Sequence, residues 1–185
     1  VILLTFVLLA RAFRSVVLPL KAVILNLVSL ACAYGVVVFI FQQGHFEDLL
    51  NFESPGYTVS GNPIIMFAVL FGLSMDYEVF LLTRMREAWV ATGDNRTAVA
   101  WGLERSGRIV TSAAAIVVLV AASFAFADVV LIQALGVGVA VAVALDATVV
   151  RALLVPSTMR LLGRWNWWLP EVLRRRMGDA PVLDA

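Results

Sequence analysis

Residues 109–150 read IVTSAAAIVVLVAASFAFADVVLIQALGVGVAVAVALDATVV. Two apolar runs meet there at one carboxylate, Asp128. Ile109–Ala127 is 19 residues without a charge, and Val129–Val150 is 22 with one, Asp146. A hydrocarbon core of about 30 Å takes about 20 apolar residues at 1.5 Å rise each. Oil offers the backbone no hydrogen-bond partner, so such a run has to satisfy its own amides as helix. Working outward, Ala22–Phe41 is 20 residues without a charge, and Pro63–Thr83 is 21 with two, Asp76 and Glu78. The opening run Val1–Ala10 is apolar but would cross only ~15 Å as a helix. It begins without Met and without the basic flank of a signal peptide. It reads as the second half of a truncated span, which makes the chain a fragment. The expected fold is all-α: a polytopic membrane bundle of about five transmembrane helices over residues 1–170, followed by a polar cytoplasmic tail over 171–185.

Composition agrees. Of the 185 residues, 62% are hydrophobic and 15% charged, against about 25% charged in an average soluble domain. Too little polar material remains to cover a water-facing surface, which argues against a soluble enzyme. The net charge of +1 argues against a nucleic-acid partner, which demands a clustered basic surface. Cys32 is the only cysteine, Lys21 the only lysine and His45 the only histidine. A disulfide framework, a multi-cysteine or two-histidine metal site and a lysine-dependent cofactor are therefore not expected. The partners such a chain implies are membrane lipids and whatever crosses among its helices.

Loop charges set an orientation. Arg11, Arg14 and Lys21 lie between the first two runs, and Arg84, Arg86, Arg96, Arg105 and Arg108 follow the third. Arg151, Arg160, Arg164 and Arg174–Arg176 follow the fifth. The loop Gln42–Asn62 carries His45, Glu47, Asp48 and Glu53 and no Lys or Arg. All 14 basic residues fall on one side, which becomes the cytoplasmic side of an inner (plasma) membrane, with the first residue outside. Thr92-Gly93-Asp94-Asn95 is a turn with N-cap chemistry, and Ala98, Trp101, Gly102 and Arg105 after it suit a short amphipathic elbow along the interface. Trp165, Trp167 and Trp168 suit an aromatic belt. Asn26, Ser29, Thr111, Ser112, Ser123 and Gln133 are expected to hydrogen-bond between helices, and His45 to be a solvated loop side chain.

Four charged residues sit where charge is expensive. Asp76 lies eight residues before Arg84, about 12 Å into the hydrocarbon, where an Asp costs about 2.5–3.5 kcal/mol on insertion scales. It should face protein or water, either as a neutral structural acid or as a group that exchanges a proton when water reaches it from each side in turn. Tyr77 brings a phenol able to hold or relay that proton. Glu78 is roughly 200° around the helix from Asp76 and suits either a proton role or a pairing with an inner-side arginine. Asp146 and Arg151 are the second constellation. Five residues is a poor α-helical spacing for a direct pair, so either one can reach across to another helix, Asp146 toward Asp76 or Tyr77 if the third and fifth spans pack together, where Gly136 and Gly138 allow close approach. In the plainer alternative Arg151 snorkels to the interface and Asp146 balances it.

The run Phe71-Gly72-Leu73-Ser74-Met75-Asp76-Tyr77-Glu78-Val79-Phe80-Leu81, with Thr83-Arg84-Met85-Arg86-Glu87 after it, resembles the tenth span of the MMPL transporters. These are the mycobacterial membrane protein large group of the resistance-nodulation-division (RND) superfamily. The resemblance continues through Gly107–Ala114, through Leu145–Arg151, and through Pro156, Leu162-Gly163 and Asn166–Pro170. It implies the eighth to twelfth spans of a twelve-span, proton-driven exporter of lipids or other hydrophobic compounds. It also implies an N-terminal half and porter domains outside this stretch. The family's proton-relay Asp-Tyr pair falls on Asp76 and Tyr77, and its functionally required Asp and Arg of the last span on Asp146 and Arg151.

Two other functions fit parts of the pattern. A non-transporting binding or scaffold bundle would share the architecture. An intramembrane aspartyl protease would use two aspartates on different helices to activate water, but its motifs resemble Tyr-Asp and Gly-x-Gly-Asp, whereas this chain has Asp76-Tyr77 and Ala144-Leu145-Asp146.

Overall fold

The computed structural model describes residues 1–58 and 60–170. The tail expected at 171–185 lies outside them, as do Arg174–Arg176. The structure is 85% helical and has no strand among the described residues. In chain order the helices are α1 (Ile2–Phe13), α2 (Val17–Val37), α3 (Glu47–Leu50), α4 (Gly61–Thr92), α5 (Asn95–Ser123), α6 (Val130–Leu145) and α7 (Val155–Leu162). Two π-helical stretches, Val38–Gln42 and Asp146–Leu154, prolong α2 and α6 without a break. Four continuous rods, Val17–Gln42, Gly61–Thr92, Asn95–Phe126 and Val130–Trp167, are long and apolar enough to cross a membrane. The opening apolar run is the 12-residue helix α1, too short to cross alone.

Helices α4 and α5 outrun the apolar runs inside them. At 32 residues, α4 is about 48 Å long. The short elbow expected after Thr92 is not a separate helix: it is the first part of the 29-residue α5. The chain breaks only at Gly93-Asp94. Gly93 turns left-handed at φ 65° to close α4, and Asp94 caps α5 by accepting from the amides of Arg96 (3.4 Å) and Thr97 (2.8 Å). Nothing after Asn95 interrupts helical winding, so charged and apolar stretches share one rod.

Close approach of these rods rests on glycines. A Cβ on Gly102 would lie 3.1 Å from the Met85 backbone nitrogen, on Gly138 2.8 Å from both Met66 Sδ and a Val37 methyl carbon, and on Gly136 2.6 Å from the Ala121 carbonyl oxygen. Gly138 thus brings α6 against α4 and α2, and Gly136 brings it against the end of α5. The apolar interior divides in two. One cluster gathers Leu18, Leu25, Phe71, Met75, Met85, Val150 and Met159, the other Leu30, Val37, Met66, Leu70, Ala142 and Val143. Polar residues on α2, α4 and α6 occupy the level where the two clusters meet. Outside, Ile109, Ile116, Leu119 and Val120 are exposed, as suits a helix face turned to acyl chains rather than water.

The polar residues expected between helices divide. Asn26 and Gln133 bond beyond their own helices. Thr111, Ser112 and Ser123 instead donate to carbonyls of their own helix, at Gly107, Arg108 and Val120. A short hydroxyl reaches back to the preceding turn more readily than across to a neighbour. His45 is exposed, as expected, yet its ring stacks on Phe39 at 3.9 Å.

Candidate functional site

In an α-helix, residues five apart point to different sides. From Asp146 to Leu154 the backbone is wound as π-helix instead, where the hydrogen bond closes from i to i+5, as from the Val155 amide to the Val150 carbonyl. That winding puts Asp146 and Arg151 on one face. Arg151 Nη2 donates directly to Asp146 Oδ2 in an ion pair, with side chains 7% and 13% exposed. The expectation that the spacing disfavours a direct pair is therefore corrected: the two meet on their own element.

The pair also reaches α4. Ser74 Oγ lies 2.8 Å from Asp146 Oδ2 and 2.7 Å from Asn26 Oδ1. Arg151 Nη2 lies 3.2 Å from the Ser74 carbonyl oxygen and 3.4 Å from its hydroxyl. A hydroxyl has one proton to give, so Ser74 serves one acceptor at a time. The guanidinium carbon stands 5.3 Å from the centre of the Tyr77 ring, an attractive cation–π placement. Asp146 thus meets Ser74 rather than Asp76 or Tyr77, and Arg151 does not snorkel to the interface.

A small cavity adjoins the cluster, with Asn26, Ser29, Ser74, Tyr77, Asp146 and Arg151 in its wall. Asn26 Nδ2 and Ser29 Oγ are buried there without a hydrogen-bond partner, and the space accommodates a water-sized molecule. The other expected residues sit elsewhere on α4. Glu78 is buried and Asp76 is exposed, the opposite faces that their spacing requires. Glu78 is attracted more strongly by Lys21 than by Arg151. Lys21 Nζ and Glu78 Oε1 are both buried and neither makes a hydrogen bond, so the two attract without touching. Sequence reasoning placed Lys21 in a loop; it lies within α2. It also passed over Ser74, whose only signal was its place two residues before Asp76. The two aspartates are not brought together: Asp146 is engaged by Arg151 while Asp76 lies on the exposed side of α4. No group of three or more His, Cys, Asp or Glu suited to a metal occurs among the described residues.

The profile of the MMPL family matches residues 1–179. A Streptomyces coelicolor membrane protein is 49% identical over 170 residues, which is 92% of this chain and 24% of that protein. The mycolic acid-containing lipids exporter MmpL11 of Mycolicibacterium smegmatis is 49% identical over 173 residues, 94% of this chain and 18% of that protein. The trehalose monomycolate exporter MmpL3 of Mycobacterium tuberculosis is 46% identical over 173 residues, 92% of this chain and 18% of that protein. The chain therefore spans a quarter or less of the length of the relatives it matches. With a match running almost end to end over a bundle of membrane-length helices, the chain belongs to the MMPL family.

Proposed function

We propose that this chain is the C-terminal membrane portion of a proton-driven exporter of lipids or other hydrophobic compounds. In this reading α1, α2, α4, α5 and α6 are the eighth to twelfth spans, the first residue lies outside and the basic ends face the cytoplasm. The observation that carries the reading is the buried Asp146–Arg151 pair bound to Ser74 and Tyr77 of α4. Relatives named as lipid exporters support it.

Asp76 carries the proton. Ionised, it needs water or a partner on the exposed face of α4, because a bare carboxylate in hydrocarbon is costly. Protonated, it loses that cost, and α4 is free to shift against neighbouring spans of a longer polypeptide. Tyr77 stands beside it as donor and acceptor. The α4 segment that bears Asp76 also bears Ser74, so a shift of α4 moves one ligand of the Asp146–Arg151 pair and couples the proton to α6. Glu78 and Lys21 hold the buried side of the same turn.

The test is Asp76→Asn in the full-length polypeptide, with substrate export measured under an imposed proton gradient. Export should vanish while the amount of protein in the membrane stays normal. Export at the wild-type rate overturns the relay.

A further inference from the structure

Two pairs of opposite charge lie buried between α2, α4 and the last rod, and they are built differently. In one, Arg151 donates directly to Asp146, and arginine does not give up its proton. In the other, Lys21 and Glu78 are only 8% and 5% exposed. Yet Lys21 Nζ and Glu78 Oε1 have no hydrogen-bond partner among the described residues. Glu78 is attracted by Lys21 and then by Arg151, and repelled by Asp146. Lysine and glutamate, unlike arginine, can both change their protonation inside a protein.

Helical register sets the second pair below the first. Ser74, which contacts Asp146, and Glu78 are four residues apart on α4. They therefore share a face, about 6 Å apart along the axis. On α2, Lys21, Asn26 and Ser29 are all buried, with Asn26 about 7.5 Å along the axis from Lys21. Asn26 Nδ2 and Ser29 Oγ are likewise without partners, and both residues line the cavity with Tyr77 and Asp146. Ser29 Oγ, Asn26 Nδ2, Glu78 Oε1 and Lys21 Nζ thus form a ladder of unpartnered polar atoms descending toward the basic end. Lys21 stands four residues after Val17, the first residue of α2, so about 6 Å of helix separates it from that end.

A buried polar atom without a partner is costly, more so when charged. Buried water removes that cost where it finds about 2–4 polar partners, and the step between rungs is about two hydrogen bonds long. We propose that Lys21 and Glu78 form a water-bridged proton port, through which protons pass between the Asp146 cavity and the basic end on the buried side of α4. Glu78 Oε1 takes a proton from a water on the cavity side, and the O–H bond so formed breaks when a water on the far side receives the proton. Lys21 keeps its own protons and holds the carboxylate between transfers, while the Asp146–Arg151 unit stays closed. The port rests on the exporter reading for its source of protons: Tyr77, in the cavity wall, follows Asp76 in the chain.

The experiment uses the full-length protein in liposomes with a trapped pH-sensitive dye. Glu78→Gln should slow proton flow about tenfold or more, and Glu78→Asp should keep part of it. Lys21→Met/Glu78→Gln leaves no uncompensated buried charge, so it should reach the membrane in normal amount and still conduct no faster than Glu78→Gln. Wild-type flow in Glu78→Gln, or flow restored in the double variant, would overturn the port, because the pair would then be a structural contact only. Infrared difference spectra on acidification give a readout independent of flow. They should show a carboxylic acid band that Glu78→Gln removes, Glu78→Asp shifts and Asp76→Asn keeps; a spectrum unchanged in Glu78→Gln would equally overturn the port. Export at the wild-type rate by Asp76→Asn, with the Glu78 band present, sinks the Asp76 relay and leaves the port standing. Export lost in Asp76→Asn with no Glu78 band in the wild type does the reverse.

Discussion

Asp146 and Arg151 are joined side chain to side chain on one helical element although five residues separate them. The i→i+5 winding from Asp146 to Leu154 makes the contact possible, and it turns two charges that would each need another helix into one neutral unit. That unit meets α4 through Ser74 and Tyr77.

Removing one member strands the other in a low-dielectric interior. Arg151→Gln should destabilise the protein by about 3–5 kcal/mol, and Asp146→Asn/Arg151→Gln by distinctly less, because the double variant leaves no uncompensated buried charge. Thermal unfolding of both variants in lipid nanodiscs measures the difference. Equal losses in the two would mean the charges are not paired.

The winding itself makes a second prediction. Val150→Arg/Arg151→Val moves the guanidinium to the spacing that suits an α-helix. Here Val150 points into the apolar cluster with Phe71 and Met75, so the exchange should fail to rescue and should cost at least as much as Arg151→Gln. Stability near wild type would show α-helical winding at this position.

Two glycines of α5 should respond in opposite directions. Gly102→Ala forces a methyl against the Met85 backbone and should cost about 1–3 kcal/mol, as overpacking does. Gly107→Ala meets nothing within 4 Å and should gain about 0.5–1 kcal/mol from reduced backbone entropy in the unfolded chain. Thermal midpoints of the two variants in the same nanodiscs provide the comparison.

The cap at the α4–α5 corner should be pH-sensitive. The Thr97 hydroxyl, and after it the Thr97 amide, holds the Asp94 carboxyl below its ordinary 3.8. A depressed folded value means the cap is at full strength above the ordinary carboxylate range, and its contribution fades as pH falls through the lowered value. Asp94→Ala should speed amide exchange at Arg96 and Thr97 at neutral pH, and the difference from wild type should shrink as the carboxyl protonates. A difference that holds constant into acid would count against the cap.

Apolar run length located every membrane-crossing rod, because a bilayer imposes a length and loop charge marks where the oil stops. It could not place the ends of α4 and α5. Arg84, Arg86, Arg105 and Arg108 leave the oil but wind on in helix, and only the left-handed Gly93 and the Asp94 cap stop the chain. The chemistry was legible as residue types: Asp146, Arg151, Tyr77 and Glu78 stood out as charge or phenol in apolar sequence. Their connections were less so. The spacing argument for Asp146 and Arg151 presumed α-helical winding, and no periodicity in Asp146–Leu154 announces the wider turn. Lys21 was hidden at the edge of an apolar run, where a buried cation and a loop cation look alike. Ser74 was hidden because one hydroxyl among apolar neighbours carries no signal until the helix opposite it is known.

The end of the last rod is not loose. The Ser15 hydroxyl donates to the Asn166 carbonyl at 2.5 Å, both residues fully enclosed, and the Val16 amide fastens the Trp168 carbonyl. This clasp joins the first corner of the chain to the turn that follows α7, the helix that continues from Asp146–Leu154 and ends at Gly163. Any rewinding of that stretch from five-residue to four-residue bonds would twist the helix beyond Leu154, and the clasp would carry the torque to the corner where α1 enters α2. The bundle thus contains a mechanical linkage between its centre and its rim. Ser15→Ala removes the side-chain half of the clasp and should loosen the coupling between movement at the ion pair and movement at the first helix.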